Sequence, residues 1–177
     1  MVKTSFLIIY NVVRIALNKI IRPHFFCVHL IQRISPLCAL KIFGHGVLKI
    51  GRNCEFAAYC NFETHNNGRL EIGEGCYFNR FCMISVHNNV TIGKKCMFGP
   101  GVKIFDNNHQ HNPKTGVSSE LTIAPIIIGD NSWICSDVII LKGAKIGKNC
   151  VIGAGCIIYG EVPDGSVVKC EQKLVLR

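Results

Sequence analysis

The first 54 residues contain no Asp or Glu, although they carry eight of the chain's 20 Lys and Arg residues. Residues 55–177 hold twelve basic and eleven acidic groups, so the formal charge of +9 is gathered at one end of a nearly neutral body. No nucleic-acid partner is expected from that balance. No run of about eighteen uncharged apolar residues occurs, which argues against a bilayer-spanning helix. The eleven Cys include no C-x2-C pair, so zinc-binding spacing is missing and no metal is expected. A chain of 177 residues does not need disulfide staples either, and a reduced, cytosolic setting is expected. A hydrophobic fraction of 49% and a mean hydropathy of +0.29 exclude disorder, and the length suits one domain.

What the sequence does contain is a period of six. Aliphatic residues stand at Ile128, Ile134, Ile140, Ile146, Ile152 and Ile158, and four places after each come Ser132, Val138, Ala144, Cys150, Cys156 and Val162. The register recurs earlier at Ile50, Phe56 and Phe62, at Ile72, Phe78 and Ile84, and at Ile92, Phe98 and Ile104. A helix would repeat at three and four. Spacing of six with Gly, Asn or Asp at turns describes short strands joined by corners. Three such units make one turn of a parallel β-helix, with copies stacking at roughly 4.8 Å, and five or so coils rise about 25 Å. Seven Cys (Cys54, Cys60, Cys76, Cys82, Cys96, Cys150 and Cys156) take the small interior place, where a thiol packs as a compact apolar group. Cys27, Cys38, Cys135 and Cys170 fall outside it.

The repeat breaks twice. Thr64–Leu70 reads as an ordinary corner loop, whereas the excursion over residues 106–125 carries Asp106, His109 and His111. A loop of roughly twenty residues in a regular solenoid is usually functional.

The I-G-x-x-[small]-x units and their single His-bearing loop resemble the hexapeptide-repeat acyltransferases, over about residues 47–168. In layout the chain is similar to sugar O-acetyltransferases of the galactoside, maltose and nodulation-factor type. In size and N-terminal style it is similar to the acetyltransferases of cell-surface polysaccharides. The resemblance implies an all-β, left-handed parallel β-helix over residues 43–168, a homotrimer, and acetyl-CoA as co-substrate. It also implies a sugar or lipid-linked saccharide acceptor. Residues 1–42 would form a helical N-terminal segment and 169–177 a tail. The family's I-G-x-x-x-x-x-x-P-x-V strand matches Ile92-Gly93 through Pro100 and Val102, which places the family's catalytic His at His109. Its acceptor-site Asn matches Asn79, and His87 stands where the sugar enzymes have an acceptor-binding Asp. The W-I-G-S coenzyme segment matches Trp133-Ile134-Cys135-Ser136, and I-G-A-G matches Ile152 to Gly155, including Ala154. The C-terminal coenzyme clamp is missing, which leaves Lys173 or Arg177 to meet nucleotide phosphates.

A neutral His suits the chemistry of acyl transfer, because it accepts a hydroxyl proton near neutral pH. Asp106 stands three residues before His109 and is the candidate to orient its ring, with His111 a second acceptor contact. Asn79 or backbone N–H groups would meet the oxyanion. Two other classes share the architecture. A trimeric β-helix carbonic anhydrase needs three metal-bound His, yet His87, His109 and His111 lack its His-x4-His pair. A non-enzymatic solenoid has no use for the long loop.

At the N-terminus, Asn11, Arg14, Asn18 and Arg22 share a helical side with Lys3 and Thr4, opposite Phe6, Ile8, Ile9, Val12, Val13, Ile15, Ala16 and Ile20. A second apolar helix is expected from His24 to about Ile34, ending before Pro36. Asn11 and Arg14 interrupt the apolar run, so a signal peptide is not expected. Residues 1–40 are expected to cap the solenoid and to touch the inner face of the cytoplasmic membrane through their positive charge.

Overall fold

The computed structural model describes residues 2–171, with side chains from residue 5 onward. Helix α1, Val2–Ile21, is followed by short strands that fall into three parallel sheets. The first face stacks Phe26–Val28, Val47–Ile50, Arg69–Ile72, Asn89–Ile92, Ile126–Ile128, Lys145–Ile146 and Glu161–Val162. The second stacks seven strands from Arg33–Ile34 to Val167–Val168, and the third six from Ala39–Ile42 to Ile157–Ile158. This is a β-solenoid of about six turns, one more than the spacing suggested.

Register follows the period of six. Ile50 lies on Ile72, Ile72 on Ile92, Ile92 on Ile128 and Ile128 on Ile146. Phe56, Phe78 and Phe98 form the second interior column, with ring centroids 5.2 and 4.2 Å apart in succession. Every one of these side chains is buried, and each contributes about 1.5–3 kcal/mol by leaving water. Val162 departs from its expected small place: it pairs with Ile146 and so sits in the aliphatic column, because the last corner is shorter.

The second helix does not form. Phe26–Val28 and Arg33–Ile34 are strands of the first coil, with Val28 on Ile50, Ile34 on Phe56 and Leu40 on Phe62. The solenoid therefore begins at Phe26 instead of residue 43, and pairing to the next coil overrides the apolar pattern of His24–Ile34. The period is hidden there because the place four after Val28 holds Gln32. That side chain is buried but satisfied: its Nε2 donates to the carbonyls of His29 and Gly51, and its Oε1 accepts the Cys54 N–H. Cys38, four after Ile34, is also interior, so eight thiols occupy the small place where seven were expected. All eleven Cys are free.

Helix α1 closes the open end by chemistry that later coils do not need. The carbonyls of Phe56, Cys60 and Thr64 accept N–H groups from Ser35, Ala39 and Phe43 of the preceding coil. The corresponding carbonyls of the first coil belong to Ile34, Cys38 and Ile42, and no coil precedes them. Asn11 Nδ2 donates to Ile34 O at 2.9 Å, Arg14 to Cys38 O at 2.8 Å, and Arg22 to Ile42 O at 2.9 Å. A sheet edge left unpaired would cost free energy at each group. The polar side of the helix therefore faces the protein.

Candidate active site

Where second-face strands turn into third-face strands, successive coils place matching residues in columns. Asn79, Gly99, Cys135 and Gly153 form one column, and Arg80, Pro100, Ser136 and Ala154 the next. Phe81, Gly101, Asp137 and Gly155 follow, all with positive φ. Gly99 is required by proximity: a Cβ there would come within 2.6 Å of the Ser136 amide nitrogen. The strands beside this corner hold a groove of about 220 Å³ between Tyr77, Asn79, Met97, Pro100, Trp133 and Ser136. Three residues expected at the site from two separate stretches (Asn79 from one, Trp133 and Ser136 from the other) thus line one cleft. Ala154 and Gly155 continue the same corner one coil on. Asn79 Oδ1 accepts the Arg80 N–H at 2.8 Å, which leaves Nδ2 as a donor. Tyr77, Met97 and Pro100 were not anticipated. Tyr77 and Met97 directly precede the buried Phe78 and Phe98, so alternation along the strand was the signal for their outward side chains.

The excursion is an antiparallel ribbon in place of an irregular loop, with strands Asn107–Asn112 and Gly116–Ile123. His109 pairs with Leu121 and His111 with Val117, so four steps on the returning strand oppose two on the outgoing one. That bulge brings the Ser118 carbonyl to His109 Nδ1 at 3.1 Å. A carbonyl oxygen can only accept, so the neutral ring carries its proton on Nδ1 and leaves the Nε2 lone pair free. Bulges beside functional side chains commonly serve to re-aim them. His111 is exposed on the same arm, and its ring makes no hydrogen bond among the described residues.

Asp106 does not take the expected role beside His109. It is fully buried, its Oδ1 accepting the His87 N–H at 2.8 Å and its Oδ2 the Asn88 N–H at 2.7 Å. The Asn107 amide adds a third bond at 3.1 Å. The carboxylate fixes the corner under His87, and the Ser118 carbonyl orients the His109 ring. His87 stacks on His65 with centroids 4.4 Å apart, and His65 in turn on Phe43 at 4.7 Å. Partial burial and the neighbouring His65 hold the His87 imidazole below its usual range; Asp106 opposes this and His109 adds to it. His87 and His109 therefore share one electrostatic neighbourhood.

In a single chain this neighbourhood is separate from the groove. The arm leaves the third face and returns to the first, whereas the groove lies at the corner between the second and third, and His109 is not among its lining residues. Lys173 and Arg177 lie outside the described residues. Among the described residues no three His, Cys, Asp or Glu side chains come together as a metal ion would need.

Residues 125–160 match the family model described as bacterial transferase hexapeptide (six repeats). The galactoside O-acetyltransferase of Escherichia coli K12 is 38% identical over 78 residues, which is 44% of this chain and 38% of that protein. An Escherichia coli K12 protein named as an O-acetyl transferase of lipopolysaccharide biosynthesis is 30% identical over 88 residues, 45% of each chain. The matched segment thus spans less than half the length of these curated relatives. A hexapeptide-repeat acetyltransferase of Vibrio cholerae, crystallised with acetyl coenzyme A, shares the fold with a TM-score of 0.53 and 18% identity over 90% of this chain and 80% of its own. The repeat and the fold are thus similar to those of hexapeptide-repeat acetyltransferases.

Proposed function

We propose that the protein moves an acetyl group from acetyl-CoA to a sugar hydroxyl of a cell-surface saccharide. In this reading His109 of one chain works at the groove of a neighbouring copy in a homotrimer. The observation that carries the reading is the Nδ1–H of His109 held by the Ser118 carbonyl, which leaves Nε2 as a base. Support also comes from the relatives, named for sugar and lipopolysaccharide O-acetylation, and from the Vibrio cholerae protein bound to acetyl coenzyme A.

The residues present suit the chemistry. Trp133, Met97 and Pro100 give the groove an apolar wall fit for a slim pantetheine arm, and Ser136 and Ala154 offer backbone edges. Nε2 of His109 takes the proton of the attacking hydroxyl as its oxygen bonds to the thioester carbon. The Asn79 amide faces the developing oxyanion. When the carbon–sulfur bond breaks, the imidazolium returns the proton to the leaving thiolate. Such base catalysis contributes about 10²–10⁴ in rate, and positioning contributes several kcal/mol more. His87 and His111 flank the base as acceptor contacts.

The separation of arm and groove within one chain gives a direct test. A His109→Ala chain mixed with a Ser136→Trp chain, each inactive alone, should regain acetyl transfer to a saccharide acceptor on co-refolding. Regained activity reports a site shared between copies. No recovery from two folded, co-assembled variants would show that base and groove act within one chain, and a monomeric mass in light scattering would remove the trimer.

A further inference from the structure

Helix α1 presents to the outside the side that an ordinary surface helix buries. Asn11, Arg14 and Arg22 are committed to carbonyls of the first coil, so the rotation of the helix is fixed. Phe6, Ile9, Val13, Leu17 and Ile20 are all exposed on the opposite side. Phe6, Val13 and Ile20 stand seven apart, and Tyr10 and Leu17 likewise, so the stripe is continuous along the helix. The first coil adds Ile31, Leu37 and Phe43, which are exposed at its three corners. In register with Ile31, later coils carry Asn53, Gly75, Lys95 and Asn131, so apolar exposure at that corner belongs to this end of the solenoid alone.

Charge identifies what covers this end. Arg33, Lys41 and Lys49 are ion-paired with Glu55, Glu63 and Glu71. Arg14, Lys19, Arg22 and Arg52 have no acidic partner among the described residues, and no acid occurs before Glu55. A second copy laid on the stripe would bring cations against cations with nothing to pair them. Among the described residues no helix is long and apolar enough to cross a membrane. An apolar stripe at an end whose charges without an acidic partner are all positive is instead the pattern of a helix that lies in an interface.

We infer that α1 and the first-coil corners seat on the surface of an anionic phospholipid bilayer, with the solenoid axis standing off the membrane. Vesicle binding and turnover are read separately, so this docking stands or falls apart from acetyl transfer. Full-length protein is sedimented with phosphatidylcholine vesicles, with and without about 30% phosphatidylglycerol, at low and high salt. The expected result is sedimentation with the anionic vesicles at low salt, about tenfold weaker at high salt or on neutral lipid. Val13→Glu with Leu17→Glu should weaken it at least about tenfold while buried thiols stay protected. Lys19→Glu with Arg52→Glu, which leaves the stripe untouched, should weaken binding to anionic vesicles only. Protein that stays in the supernatant, or binding indifferent to both pairs of substitutions, overturns the inference. So does a stripe variant that changes oligomeric mass and leaves vesicle binding intact, because the face then covers another copy.

Discussion

The carboxylate of Asp106 holds the backbone N–H groups of His87 and Asn88, one on each oxygen, at 2.8 and 2.7 Å. A residue placed next to the candidate base in sequence thus supports the floor on which another histidine stands. Asp106→Ala would leave two buried N–H groups without partners. It should lower unfolding free energy by about 2–4 kcal/mol, measured by urea denaturation. Turnover per folded molecule should change far less than in His109 variants. A stable Asp106→Ala protein with lost kcat would return the residue to catalysis.

His109→Ala should lose about 10²–10⁴ in kcat/KM on the true acceptor, with thermal stabilisation by acetyl-CoA retained. His111→Ala should stay within about threefold, because its ring is not tied into the arm. Near wild-type rates for both variants would show that the base lies elsewhere.

Eight thiols are interior, and hydrogen bonding to the Cys60 thiol together with burial pushes those of Cys38 and Cys82 up, away from the reactive thiolate. Native protein should react quickly only through Cys27, Cys135 and Cys170, whereas unfolded protein should expose all eleven. Seven fast equivalents under native conditions would break the register of the solenoid.

Acid should weaken the fold in two windows. Because the His87 pKa is lowered by folding, the unfolded chain binds its proton first, and stability falls as pH drops below the ordinary His value of about 6.5. Glu63 and Glu71 have lowered values through Lys41 and Arg69, so their contribution is present above about pH 4.5 and lost below it. Thermal melts of His87→Gln should lose the slope that sets in below about pH 6.5 and keep the one below about pH 4.5. An unchanged profile in the upper window would remove His87 as its source.

The column of Ile50, Ile72, Ile92 and Ile128 was legible because a solenoid writes its interior directly as side-chain spacing. The groove was legible through the resemblance instead: family motifs marked Asn79, Trp133 and Ser136, and the register brings them to one corner. Gln32 hid the first coil, since a polar side chain fills an apolar place by bonding to two backbone groups of the next coil, Gly51 O and Cys54 N–H. Asp106 misled because residues three apart share a face in a helix but fall on opposite sides of an extended chain. The partner that orients His109 is a main-chain oxygen at Ser118, and any residue would supply it, so the sequence carries no mark of it.

Trp133 is the chain's only tryptophan, 51% exposed and set in the wall of the groove. Indole fluorescence from this protein therefore has a single origin. Each emission shift, each quenching event and each change in anisotropy reports on that wall, without a label or an engineered probe. Occupancy of the cleft is readable by light from the native molecule, before any acceptor is known.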